Sequence, residues 1–217
     1  MLLEKKTNIL LAIFVAALLL GNLLGSKITI IFGVVTSVGI FAYPLTFLCT
    51  DIIEEVRGRE ITKIFIKAGF VALILSIFLT WVGLIMPPAS FYTNNEAYAS
   101  VFKSSIRIMI ASLFAFVIAQ YHDIFAFNFW KQKTKGRFLW LRNNLSTIVS
   151  QFIDTTIFMF IAFFLMTPEF TVARIFSMII PYWILKVGFA FVDTPFVYLG
   201  VKWFRSNTRK SLSHSKD

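Results

Sequence analysis

Residues 66–86 read Ile-Lys-Ala-Gly-Phe-Val-Ala-Leu-Ile-Leu-Ser-Ile-Phe-Leu-Thr-Trp-Val-Gly-Leu-Ile-Met, with a single charge, Lys67, beside the start of the run. The hydrocarbon layer of a bilayer is about 30 Å thick and a helix rises about 1.5 Å per residue, so a run this long and apolar crosses as a helix. A buried strand needs only about 4 to 8 apolar residues. Outward from this stretch, comparable runs occupy Ile9 to Leu24, Gly39 to Ile53, Ile106 to about Phe127, Leu145 to Met166 and Ile175 to Trp203. The expected fold is all-α: a polytopic membrane helix bundle of about six transmembrane helices. Residues 1–217 form a single transmembrane domain with a short basic polar tail from about residue 204.

Composition agrees, because 58% of the residues are apolar and 15% charged, whereas soluble domains carry about 25% charged residues. The net charge of +10 raises the question of nucleic acid, but the 21 basic residues fall between the apolar runs. With the N terminus inside, sixteen of them face the cytoplasm, among them Arg57, Arg59, Lys131 and Arg142. Only Lys27, Lys103, Arg107 and Arg174 face outward, and Lys186 lies within a run. Cytoplasmic loops collect Lys and Arg, so both termini are expected in the cytoplasm and the number of crossings is even. The basic tail is then a topological signal, with lipid rather than nucleic acid as its partner. The first run follows Lys5 and Lys6 like a signal peptide, but it is long and has no clear Ala-x-Ala site, so it reads as a retained helix of a bacterial cytoplasmic membrane protein.

Several chemistries are excluded. Cys49 is the sole cysteine, which rules out an internal disulfide and a thiolate-rich metal site. His122 and His214 are placed too far apart in the chain to build a zinc site between them. There is no Gly-x-x-x-x-Gly-Lys-Ser/Thr loop and no Ser or Cys matched with a helix-borne His. No cofactor and no enzymatic activity are implied.

Between the first two runs, Ser26 to Val38 is rich in β-branched residues and Gly, too apolar for a solvated loop and too short to span. It reads as a re-entrant or extended segment, which at membrane depth needs protein or a watery cavity to satisfy its amides. A short or interrupted segment of this kind is a pointer to a transport site. A kinked corner without a ligand is the plainer alternative.

Charged residues inside apolar runs are the other pointer, since each costs roughly 2.5 to 3.5 kcal/mol at a helix centre. They are Asp51, Asp123, Asp154, Lys186 and Asp193. Counting along the fifth and sixth helices places Asp154 and Lys186 at similar depth, where they can pair. Gln120 and Asp123, with Phe127 beyond, repeat in Gln151 and Asp154, with Phe158 beyond; a spacing of three puts each Gln and Asp on one helical face. Two such faces offer amides, carboxylates and rings to a planar heterocycle bearing N–H donors. Asp51, Glu54 and Glu55 end the second helix, and Asn22 and Arg107 are further inward-facing candidates, although snorkelling and helix-end bonding explain such residues equally well.

Three strings carry a more specific signal: Tyr-Pro-Leu-Thr-Phe-Leu-Cys-Thr-Asp-Ile-Ile-Glu-Glu-Val-Arg-Gly at 43–58, Arg-Asn-Asn-Leu-Ser-Thr-Ile-Val-Ser-Gln-Phe-Ile-Asp-Thr at 142–155, and Tyr-Trp-Ile-Leu-Lys at 182–186, with Thr194-Pro195 following. In order and content they resemble the queuosine precursor transporter family, a group placed with vitamin uptake transporters. The resemblance implies six helices and import of 7-deazaguanines, such as 7-cyano- and 7-aminomethyl-7-deazaguanine or queuine, for tRNA modification. The expected partner is therefore a small nucleobase-like solute. Its N–H edge suits carboxylates, its ring carbonyl a donor such as Gln, Asn or Lys, and its face an aromatic ring. Asp154, Gln151, Asp123, Gln120, Lys186, Asp51, Glu54, Asn22 and Arg107 make up the candidate substrate-binding set.

Two other functions fit parts of the chain. Glu54-Glu55-x-x-x-Arg59 resembles the Glu-Glu-x-x-x-Arg box of membrane-embedded CAAX-type endopeptidases, but the later helix-borne histidines those enzymes need are missing from the sequence. Ala12-x-x-x-Ala16 resembles the small-residue docking surface of substrate-binding subunits of energy-coupling-factor transporters, although such pairs also simply pack helices. Homo-oligomerisation and coupling subunits are left open.

Overall fold

A computed structural model describes residues 2–164 and 171–206. Six α-helices are present: α1 (Leu2–Leu24), α2 (Tyr43–Arg57), α3 (Arg59–Ile85), α4 (Asn95–Lys133), α5 (Leu139–Phe163) and α6 (Val172–Arg205). Five of them are long and apolar enough to cross a membrane. The exception is α2, whose 15 residues reach only about 22 Å at 1.5 Å per residue.

The missing length of that crossing is filled by non-helical chain. After α1 comes an antiparallel hairpin of β1 (Ile28–Ile31) and β2 (Val34–Ser37), in register from Ile28 opposite Ser37 to Ile31 opposite Val34. Its two-residue turn has Phe32 at φ 49° and Gly33 at φ 77°, the doubly positive geometry that matches the twist of paired strands. A 3-10 helix (Val38–Phe41) follows, with Ser37 accepting from the Gly39 N–H at 3.0 Å. The expected extended segment is thus a hairpin, and the second helix starts at Tyr43 instead of Gly39. Gly39 is pressed onto α1: a Cβ there would sit 2.3 Å from the Gly21 carbonyl oxygen. No side chain fits at that contact.

Helix boundaries differ from the hydropathy reading where polar residues continue a helix beyond the apolar layer. α3 begins at Arg59 rather than Ile66, because Gly58 at φ 78° turns the chain in one residue and lets α3 start at once. α4 has 39 residues, about 58 Å, so it projects beyond a bilayer. α5 starts at Leu139 instead of Leu145, and its expected end at Met166 lies outside the described residues. α6 continues to Arg205, taking in the start of the expected tail; the rest of the tail, with His214, also lies outside them. Two prolines, Pro181 and Pro195, sit inside α6. Beside Pro195, Thr194 donates to the Ala190 carbonyl at 3.1 Å, while Asn144 of α5 donates to Thr194 Oγ1 at 3.0 Å, so polar side chains stitch α5 to α6 where proline interrupts the ladder.

Successive helices run antiparallel, giving the bundle a basic end, at the α2–α3 and α4–α5 joints, and a far end carrying the hairpin. Apolar packing is divided accordingly. Phe14, Ile53, Phe65, Phe127, Val197 and Phe204 belong to a cluster toward the basic end, and Ile40, Met159, Ile175, Ile179 and Tyr182 to one at the far end. In lipid such contacts stabilise through close packing rather than exclusion of water. A layer of buried polar residues lies between them.

Candidate functional site

Within that layer a narrow cleft opens between α2, α5 and α6, with Ile40 of the 3-10 helix in its lining. Helical spacing explains its walls. α2 contributes Tyr43, Pro44, Phe47 and Asp51; α5 contributes Asn143, Thr147 and Gln151, each four residues apart; α6 contributes Lys186, Phe189, Ala190 and Asp193. Each set is one stripe of a helix.

The two ends of the cleft differ in charge. Toward the far end, Lys186 Nζ lies 2.6 Å from Asp154 Oδ2, 4.7 Å from the Tyr43 ring and 5.0 Å from the Tyr182 ring. Lys186 lines the cleft whereas Asp154 does not, so the ammonium faces the space and the carboxylate backs it. Toward the basic end, Asp51 and Asp193 face the cleft. Between these ends, Asn143 Oδ1, Thr147 Oγ1 and Gln151 Oε1 are buried without a hydrogen-bond partner. These are three of eleven such atoms among the described residues, and they leave the cleft with polar groups that a polar occupant would satisfy.

The remaining candidates lie elsewhere. Gln120 and Asp123 are buried on α4, with Asp123 beside Ser146 and Ser150 of α5 and neither amide atom of Gln120 partnered. Gln151 lines the cleft whereas Gln120, Asp123 and Asp154 do not; the α4 face packs against α5, with Asp123 still within electrostatic reach of Asp51. Glu54 accepts a short hydrogen bond from Asn128 Nδ2, which itself reaches the Ile124 carbonyl at 2.8 Å. Asn22 donates to the Leu18 carbonyl at 2.9 Å within α1. Arg107 closes the last turn of α5, donating to the carbonyls of Ile161 at 3.3 Å and Phe164 at 3.0 Å.

Below the cleft, one turn beyond Asp51, Glu55 gathers cations from three helices: Lys131 of α4 at 3.3 Å, Arg205 of α6 at 3.0 Å, and the buried Arg142 of α5 in a short contact. Arg142 also donates to the carbonyls of Gly136 at 2.9 Å and Arg137 at 3.3 Å. α1 is tied in by Lys6, which donates to the Trp203 carbonyl at 2.5 Å. The Glu54-Glu55 pair thus serves the packing of the basic end.

Eight of the twelve cleft residues fall in the three strings singled out in the sequence; Ile40, Phe189, Ala190 and Asp193 do not. Tyr43, Asn143 and Thr147 escaped the candidate set because neutral polar residues barely disturb a hydropathy profile. Asp193 stood out as an intramembrane charge but had no partner to place it.

A family described as "Putative vitamin uptake transporter" matches residues 37–200, a stretch that contains the whole cleft. The chain belongs to this family. It is therefore a multi-pass bacterial membrane transporter and not an enzyme. Among its relatives is a "Probable queuosine precursor transporter" of Bacillus subtilis, 29% identical over 88% of this chain and 82% of the relative. A "Queuosine precursor transporter" of Escherichia coli is 28% identical over 61% of this chain and 58% of its own length. A "Probable queuosine precursor transporter" of Haemophilus influenzae is 27% identical over 58% and 51% respectively. No solved structure matches the chain.

Proposed function

We propose that this transporter imports queuosine precursors, 7-deazaguanine bases used to modify tRNA, with its basic end in the cytoplasm. The observation that carries the reading is the cleft itself: carboxylates at one end, an ammonium at the other, and open amide and hydroxyl acceptors between phenyl rings. A 7-deazaguanine has N1–H and a 2-amino group on one side, with its ring carbonyl and 7-substituent adjacent on the other. Placed along the cleft, its N–H groups meet Asp51 and Asp193, its carbonyl meets Lys186, and its faces lie between Phe47 and Phe189. The printed names of the relatives support the same class of solute.

The test is uptake of labelled 7-cyano- and 7-aminomethyl-7-deazaguanine by cells lacking both their synthesis and their own importer, read as queuosine in tRNA. Expression of this chain should restore the modification at nanomolar to micromolar supply. No restoration with correctly inserted protein would refute the assignment.

A second reading, the binding subunit of an energy-coupling-factor transporter, is favoured by one feature. Ala12 and Ala16 lie on an outward face of α1 together with Ile9, Ile13 and Leu20. Uptake by the purified chain alone in liposomes decides between them.

A further inference from the structure

The end of the cleft formed by Asp51 and Asp193 holds negative charge that the described protein does not offset. Asp51, 2% exposed, lies within electrostatic reach of Asp123 on α4, Asp193 on α6 and Glu54 on its own helix. Among the described residues, none of Asp51, Asp123 and Asp193 forms an ion pair; the nearby cations are engaged elsewhere. Lys186 pairs with Asp154, while Lys131, Arg142 and Arg205 converge on Glu55. Arg59 and Lys131 act on Glu54. His122 turns to Ser150 of α5 at 3.0 Å.

An independent feature points to an occupant at the same place. Asn143 and Thr147, 3% and 2% exposed, line the cleft with Asp51 and Asp193, and their side-chain oxygens have no partner. The Asn143 amide oxygen calls for a donor, whereas the Thr147 hydroxyl can donate or accept, and a carboxylate can donate only when protonated. Carboxylates crowded in a desolvated site oppose each other's ionisation, and one bound proton relieves the set. A metal cation is a poorer occupant, since no group of three or more His, Cys, Asp or Glu able to hold one is found among the described residues.

We propose that Asp51 binds a proton that travels inward with the solute. Asp51 is the proton carrier because three carboxylates surround it; Asp193, at the cleft's more open wall, stays ionised to accept the solute's N–H groups. The step balances simply: an O–H bond forms on the Asp51 carboxylate from outer hydronium and breaks to release the proton to the cytoplasm, with no electron transferred. This rests on the import reading above and extends it to the coupling ion.

The experiment uses the purified full chain in liposomes, with the membrane potential clamped at zero by potassium and valinomycin. With the outside one pH unit more acid, 7-cyano-7-deazaguanine should accumulate by up to about tenfold. In Asp51→Asn the ratio of uptake with and without the gradient should fall to about one, whatever uptake remains. Accumulation of the 7-cyano compound that ignores the proton gradient, or follows sodium instead, overturns the proposal, as does a full gradient response in Asp51→Asn. If that variant does not fold, the response of the native chain to proton and sodium gradients decides alone. Equilibrium dialysis separates the two levels: binding of the 7-cyano or 7-aminomethyl compound without a gradient response sinks proton coupling only, whereas binding of neither sinks the import reading and coupling together.

Discussion

Lys186 is held at once by Asp154 and by the faces of Tyr43 and Tyr182. An ammonium at membrane depth is stable only in such company, since the carboxylate offsets its charge and the rings contribute about 0.5 to 2 kcal/mol each by cation–π attraction. Removing one partner of a buried pair costs roughly 3 to 5 kcal/mol, because the other is left charged and desolvated. Asp154→Asn should therefore cut uptake at least about tenfold and lower thermal stability while the protein still inserts. Lys186→Gln should do likewise, and the double variant should recover stability beyond the additive expectation by more than about 0.5 kcal/mol. Thermal unfolding in detergent measures this cycle; strictly additive effects would show that the 2.6 Å contact carries no coupling. Counting residues along two helices suffices to anticipate this pair. Asn143 and Thr147 are invisible to the same reasoning, because an uncharged polar residue costs too little in lipid to demand a partner.

At the scale of elements, Glu55 is the point where α2, α4, α5 and α6 are fastened, and it sits one turn below the cleft. On the import reading, passage of a solute to the basic end requires these helices to separate, and we propose that the ionic hub is the inner barrier. Cys49, buried on α2 close to Asp51 and Asp193, is a built-in reporter of that separation. Glu55→Gln leaves Arg142 buried with its best acceptor neutralised, and should raise the rate of Cys49 alkylation by a permeant maleimide several-fold. Unchanged labelling kinetics in an inserted variant would show that the hub does not hold the barrier. The sequence marks Glu55 as an end-of-helix charge but cannot identify its partners, which lie 76, 87 and 150 positions away in the chain. The hairpin is legible only as irregular extended chain, because β-branched residues and Gly fit several such conformations. The early start of α3 escapes hydropathy because Arg59, Glu60, Thr62 and Lys63 are polar although helical.

For the whole molecule, the bundle order follows from the apolar runs, and the unresolved question is which end faces the cytoplasm. Basic residues supply the argument. The α2–α3 joint carries Arg57 and Arg59, and the α4–α5 joint carries Lys131, Lys133, Lys135 and Arg137. Both lie at the end of the bundle where Lys6 of α1 meets the last turn of α6, so a single orientation satisfies every basic joint. The opposite α3–α4 connection, around Asn94, contains no Lys or Arg between Met86 and Asn95. From the retention of positive loops on the cytoplasmic side we propose that both termini lie inside. Reporter fusions at the N terminus, at Lys133 and at the C terminus should all read as cytoplasmic, and one at Asn94 as external. An external signal from either terminus would invert the bundle, put the Glu55 hub at the outer face, and turn the proposed inner barrier into the entrance.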